Sequence, residues 1–174
     1  IILNYRLPKA IAAILVGMGL SISGLLMQTL FRNPLAGPYV LGLSSGASLG
    51  VAIVILGAAL LPPFLATFLV SYVGIVLASS LGSFAVLLAV LAVSHRLRDT
   101  MAILIVGLMF GSLTSAIVGT LTYFSTAEQL QKFTFWSLGN LGNLSWTAIA
   151  LLSSCVVIGL LFSLFSIKPL NALL

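Results

Sequence analysis

Apolar residues fall into five long runs along the chain, and the charged and helix-breaking residues collect between them. The first, Ala10–Leu30, carries no charge. As a helix rising about 1.5 Å per residue it is long enough to cross the ~30 Å hydrocarbon layer of a bilayer. Similar runs follow at about 41–61, 64–93, 100–124 and 146–165. They are separated by FRNPLAGP (Phe31–Pro38), Pro62-Pro63, SHRLRD and a longer polar segment that predicts a loop over about 125–145. In FRNPLAGP, Pro34 removes an amide donor and pushes Asn33 out of the helical region, and Gly37-Pro38 repeats the break, so the chain must turn there. The pattern predicts an all-α fold, a polytopic transmembrane helix bundle of five spans forming one partial domain over residues 1–174. The third run is longer than a perpendicular helix needs, which implies either tilt or a start nearer Tyr72 than Phe64.

Composition excludes a soluble fold, because 61% of the residues are hydrophobic and 5% are charged, against roughly a quarter charged in globular domains. The surrounding medium is therefore membrane lipid. The net charge of +5 does not indicate nucleic acid, since the basic residues are scattered between apolar runs with no track for a phosphate backbone. Arg6, Lys9 and Lys132 fall on one face, and Arg32, Arg96, Arg98 and Lys168 on the other, too even a division for basic-loop counting to orient the chain. Tyr5, Tyr72, Tyr123, Trp136 and Trp146 gather on the first face, but aromatic belts occur at both interfaces. Cys155 lies inside an apolar run and reads as a core thiol rather than half of a ligand pair. The opening IILNYRLPK has neither an initiating methionine nor a signal-peptide pattern, and the ending NALL is abrupt, so a fragment of a longer subunit is expected.

Small residues recur at a spacing of four in Ala13/Gly17/Ser21, Gly42/Gly46/Gly50 and Gly107/Gly111/Ser115/Gly119. Such rows lie along one side of a helix and admit a neighbouring backbone, the usual basis of packing in lipid. Gly42, Gly46, Gly50, Gly107 and Gly111 are thus expected at helix contacts. No GxxxxGK[ST] phosphate loop is present, so ATP is not bound here through one.

The residue inventory argues against an enzyme. The only carboxylates, Asp99 and Glu128, fall in loops on opposite faces and cannot form an acid/base pair. His95 stands alone beside Arg96, a solvated loop histidine rather than a metal ligand. No metal or cofactor is implied. No ionisable residue falls mid-span, where it would cost about 2.5–3.5 kcal/mol and would mark an ion pathway. The fourth span carries Ser112, Thr114, Ser115, Thr120 and Thr122. These hydroxyls either bond back to their own helix or line a weakly polar channel. By the residues alone, Arg6 and Lys9 are read as snorkelling at a membrane interface.

RLPKAIAAILVGMGLSISGLLMQTLFRNPLAGPYVLGLSSGASLG, YFSTAEQLQKFTFWSLGNLGNLSW and KPLNALL together resemble the FecCD-type permease subunits of bacterial binding-protein-dependent importers for vitamin B12, iron siderophores and haem. The resemblance covers essentially the whole chain. It departs at Lys9, where arginine is common, and at Gly37, where an acidic residue is frequent. It implies a ten-helix permease of the inner membrane, here represented by helices two to six, with the main ATPase-gripping helices beyond Leu174. It further implies pairing with a second permease subunit as a homodimer, two cytoplasmic ATPase subunits and a periplasmic substrate-binding protein. The face of Arg6, Lys9 and the 125–145 loop would be periplasmic. Arg6 and Lys9 would receive acidic residues of the binding protein, and Asn33, Leu35 and Thr100 would form a cytoplasmic gate. Composition alone leaves open a secondary transporter or channel for a small solute, though an intramembrane charge or broken-helix repeats would then be expected.

Overall fold

In the computed structural model, which describes residues 2–57, 62–97, 99–141 and 144–171, every regular element is helical. A short π-helical turn, Ile2–Arg6, leads into α1, Leu7–Phe31. Pro8 sits in the first turn of α1, where its missing amide hydrogen costs nothing. The helix stops at Arg32, which adopts a left-handed φ of 48° and is capped by its N–H to the Gln28 and Thr29 carbonyls. The proline two residues on prevents continuation. The following elements are α2 (Leu43–Leu56), α3 (Pro63–Leu69), α4 (Tyr72–Ser94), α5 (Thr100–Tyr123), α6 (Ala127–Leu138) and α7 (Trp146–Asn171). Among the described residues α1, α4, α5 and residues Trp146–Ser166 of α7 are long and apolar enough to cross a membrane.

The backbone divides into two units, Pro38–Leu138, and Ile1–Gly37 with Gly139–Leu174. In the second of these α1 packs against α7. Ser145 starts α7, its hydroxyl accepting the Ala148 N–H at 3.2 Å. Large apolar side chains on both helices, Ile14, Leu25, Leu151 and Phe162 among them, are more than half exposed, as a lipid-facing or subunit-facing surface requires. Cys155, expected as a core thiol, is exposed. It lines an apolar groove with Gly19, Val156 and Gly159, because α7 has only α1 beside it within this unit.

The unit Pro38–Leu138 is built around α2, which packs against α4, α5 and α6. Sequence pattern predicts a span over 41–61, whereas the helix has 14 residues and would extend about 21 Å. A 3-10 turn, Pro38–Leu41, and a left-handed Gly42 (φ 75°) precede it, and Gly57 closes it with an N–H to the Ile53 carbonyl. Positions 58–61, the predicted end of that span, and Arg98 lie outside the described residues. Apolar helices of this length suit a protein interior better than a bilayer, and Val51 and Ala52 are fully buried. The run predicted at 64–93 resolves into α3 and α4, since Ser71 accepts the Gly74 N–H at 3.3 Å and starts a new helix at Tyr72.

The segment predicted as a loop over 125–145 contains α6. Its start is a reciprocal cap: the Thr126 N–H donates to Gln129 Oε1 at 3.1 Å, and the Gln129 N–H to Thr126 Oγ1 at 3.4 Å. That pairing satisfies two amides the first turn would otherwise leave free. Phe133 joins Val51, Ala52, Ile55 and Leu56 of α2 in one core cluster, with Ile75, Val118, Leu121 and Trp136 around it. Trp136, one of the aromatic residues expected near an interface, stacks on Phe133 with ring centroids 6.1 Å apart.

Candidate functional site

Glycines bring the helices of this unit together at backbone distance. A Cβ on Gly46 would lie 2.6 Å from the Gly82 carbonyl oxygen and 2.9 Å from Val86 Cγ2, so α2 and α4 meet glycine to glycine with the Val86 side chain alongside. Gly50 faces the Ala78 backbone in the same way. A Cβ on Gly107 of α5 would lie 2.6 Å from the Val40 carbonyl, while Gly42 sits against the Gly107 carbonyl and the Gly111 amide. Ser83 adds a hydrogen bond across the α2–α4 seam, its hydroxyl donating to the Leu43 carbonyl at 2.9 Å. By contrast, Gly17 of α1 and Gly119 of α5 have no atom within 4 Å of an added Cβ.

Five hydroxyls of α5, those of Ser112, Thr114, Ser115, Thr120 and Thr122, bond back to their own helix. Ser112 donates to Leu108 O, Ser115 to Gly111 O, Thr120 to Ala116 O and Thr122 to Gly119 O, at 2.8–3.0 Å. Thr114 is buried with Leu104 and Gly107 and reaches both Phe110 O and Gly111 O at 2.9 Å. It is on the packed side of α5, whereas Ser112, Ser115 and Thr120 are exposed. Back-bonded hydroxyls of this kind keep a weakly polar surface without a free donor.

The turn after α1 is ordered by its own polar groups. Asn33 Oδ1 accepts the Leu35 N–H at 2.9 Å, the Ala36 N–H donates to the Asn33 carbonyl at 3.0 Å, and Gln28 Nε2 reaches the Pro34 carbonyl at 3.0 Å. An asparagine side chain bonded two residues ahead imitates a backbone turn. Phe31 and Ala36 are buried, and Leu35 stands out from the turn, 86% exposed. Asn33 and Leu35 belong to one unit and Thr100 to the other. Thr100 opens α5 and is exposed, beside Asp99, whose Oδ1 accepts the Met101 N–H at 3.0 Å as the N-cap.

Arg6 and Lys9 bracket the start of α1 and are both exposed. Neither makes a hydrogen bond or ion pair among the described residues, and the first turn of α1 holds no acidic residue. Two cations at a helix N-terminus oppose the helix dipole, so their place does not come from helix stability. The one ion pair among the described residues joins Lys132 Nζ to Glu128 Oε1 at 2.8 Å on α6. The hydrogen bond from Lys132 and then its charge hold the Glu128 carboxyl below its usual range. Among the described residues no cluster of histidine, cysteine and carboxylate side chains could hold a metal.

Uncharged spans, glycine seams and hydroxyls closed on their own helices define a packed helical membrane protein. The whole chain, residues 1–174, matches the FecCD transport family, and it belongs to that family. It is 38% identical over 172 residues to the hemin transport system permease protein HmuU of Yersinia pestis, covering 98% of this chain and 50% of that protein. It is 34% identical over 169 residues to the vitamin B12 import system permease protein BtuC of Escherichia coli O1:K1, covering 97% of this chain and 49% of that one. A solved structure described as an inward-facing conformation of a metal-chelate type ABC transporter superposes with a TM-score of 0.84 at 29% identity. That match covers 99% of this chain and 52% of the solved one. The chain thus spans about half the length of the relatives it matches.

Proposed function

We propose that this chain is part of the permease subunit of an ATP-driven importer in the inner membrane, carrying haem, cobalamin or an iron chelate. The observation that carries the reading is the match of the whole chain to the FecCD transport family, together with its likeness to permeases named for hemin and vitamin B12. Spans without ionisable residues agree with it, since energy then enters through a separate ATPase rather than through an ion moving along these helices. The partners are a second permease copy, cytoplasmic ATPase subunits and a periplasmic binding protein, and the protein itself catalyses no reaction.

Within that machine Arg6 and Lys9 dock the binding protein. Their exposure, their unpaired state and their unfavourable place at the α1 N-terminus fit charges kept for acidic groups of a partner. Rim charges act mainly on association rate and register and weaken with salt. Exchange of both for glutamate in the full-length subunit is expected to lower binding-protein affinity at low ionic strength, with assembly on the ATPase intact. Unchanged affinity returns the pair to interfacial snorkelling.

Asn33, Leu35 and Thr100 serve as the cytoplasmic gate. Support comes from the Asn33 turn, which presents Leu35 to the outside of its unit. Leu35→Cys in a Cys155→Ser background is expected to crosslink between the two permease copies in at least one nucleotide state. Absence of a crosslink in every state removes the gate assignment. Ser112, Ser115, Thr120 and Thr122 line the route as low-affinity surface, and Thr114 serves packing.

A further inference from the structure

A second polar feature lies beside the α5 hydroxyls. Ser44, Ser45 and Ser48 of α2, Ser115 of α5 and Ser137 of α6 surround a notch of about 310 Å³, with Val118 and Phe133 as its apolar wall. Three helices of the same unit therefore contribute serines to one concavity, and no charged side chain lines it.

The hydroxyls there are not alike. Ser115 and Ser137 donate to the Gly111 and Thr134 carbonyls, both at 2.8 Å. Those of Ser44, Ser45 and Ser48 make no hydrogen bond among the described residues. Ser44 and Ser45 stand in the first turn of α2, before any helical carbonyl four residues back, whereas Ser48 could close onto the Ser44 carbonyl as Ser21, Ser80, Ser112 and Thr120 do onto theirs, and does not. Hydroxyls in an apolar region usually find such a partner, because an unpaired donor is costly away from water. Three free ones facing a single notch are left to water or to a ligand.

Resting on the transport reading above, we propose that this notch is a passing subsite for an oxygen-bearing arm of the cargo, a carboxylate or a carboxamide. The volume holds about ten waters at ~30 Å³ each, enough for a side arm and too little for a whole macrocycle. Hydroxyls donate to carboxylate or amide oxygens and accept from amide N–H groups, so they serve both chemistries. With no cation in the notch the hold is weak, as a compartment that must release its cargo requires. The oxygens of an arm entering the route give up water, and the serines replace that lost hydrogen bonding.

The test is uptake into proteoliposomes by the full-length permease with its ATPase and binding protein, using hemin for the carboxylate arm and cobalamin for the carboxamide arm. For whichever cargo the wild type carries, the triple variant Ser44→Ala, Ser45→Ala, Ser48→Ala is expected to slow uptake about tenfold, as the loss of one to two neutral hydrogen bonds implies. Binding-protein docking should stay unchanged. The corresponding threonine variant, which keeps the hydroxyls, should retain most of the rate. Equal uptake by wild type and alanine variant overturns the subsite, and so does equal slowing by alanine and threonine, which would show that shape alone matters. If the triple variant fails to assemble with its ATPase, Ser48→Ala carries the same comparison, with a slowing of about threefold expected and an unchanged rate overturning the proposal. Where the wild type carries an iron chelate instead, the same comparison is made with that chelate, and a wild type that carries none of the three ends the transport reading itself, and the subsite with it.

Discussion

Two helices carry the same small-residue pattern and use it differently. In α2 the row Gly42/Gly46/Gly50 lies against the backbones of α4 and α5, and Val51, Ala52 and Ile55 on the same helix are at most 3% exposed. In α1 the row Ala13/Gly17/Ser21 is exposed, and a Cβ on Gly17 would meet nothing within 4 Å. A glycine row records that a close approach is sterically possible. It does not name the partner or say whether the partner lies in this part of the chain.

The largest expected effect follows from that contrast. Gly46→Leu in the full-length subunit must displace the Gly82 carbonyl and Val86, and is expected to cost about 3 kcal/mol or prevent assembly, as read by thermal unfolding in detergent. Gly17→Leu meets no such obstacle and is expected to shift the unfolding temperature little. A large loss at Gly17 would show that its row is occupied by residues outside this chain, which sharpens the comparison. A small loss at Gly46 would break it.

A smaller contrast lies within α6, between its cap and its ion pair. Thr126→Ala removes the hydroxyl half of the Thr126–Gln129 cap, the bond from the Gln129 N–H to Oγ1, and leaves the backbone N–H of residue 126 on Gln129 Oε1. It is expected to destabilise the packing of α6 on α2 by about 1 kcal/mol, measured as faster hydrogen exchange over Ala127–Leu138. Glu128→Gln should leave that exchange unchanged, because exposed ion pairs contribute little. The Glu128 carboxyl is held below its usual range by Lys132. Whatever small stabilisation the pair supplies is therefore present above the ordinary carboxylate range and lost as pH falls through the lowered value. Equal effects of the two substitutions would contradict the ranking.

The membrane helices were legible because lipid demands long uncharged runs and internally satisfied backbones. Thus α1, α5 and α7 begin or end within a few residues of the apolar runs at about 10–30, 100–124 and 146–165. The length of α2 was not legible, since the apolar run continues through Gly57, where the helix stops. The helix α6 escaped notice because its polar residues read as loop. Its signals were present in the Thr126-x-x-Gln129 cap and in Phe133 and Trp136, spaced three apart on one face. The turn after α1 was legible from Asn33-Pro34, because local chemistry alone makes it. The serine notch was not, for it exists only where three helices meet.

The claim on which the rest depends is that these helices belong to an ATP-driven importer. The direct measurement is uptake of hemin, cobalamin or an iron chelate by the full-length permease in proteoliposomes, with and without ATP, ATPase and binding protein. Uptake of one of them that requires all three components is the predicted result, and uptake driven by an ion gradient in the absence of ATP and binding protein would contradict it.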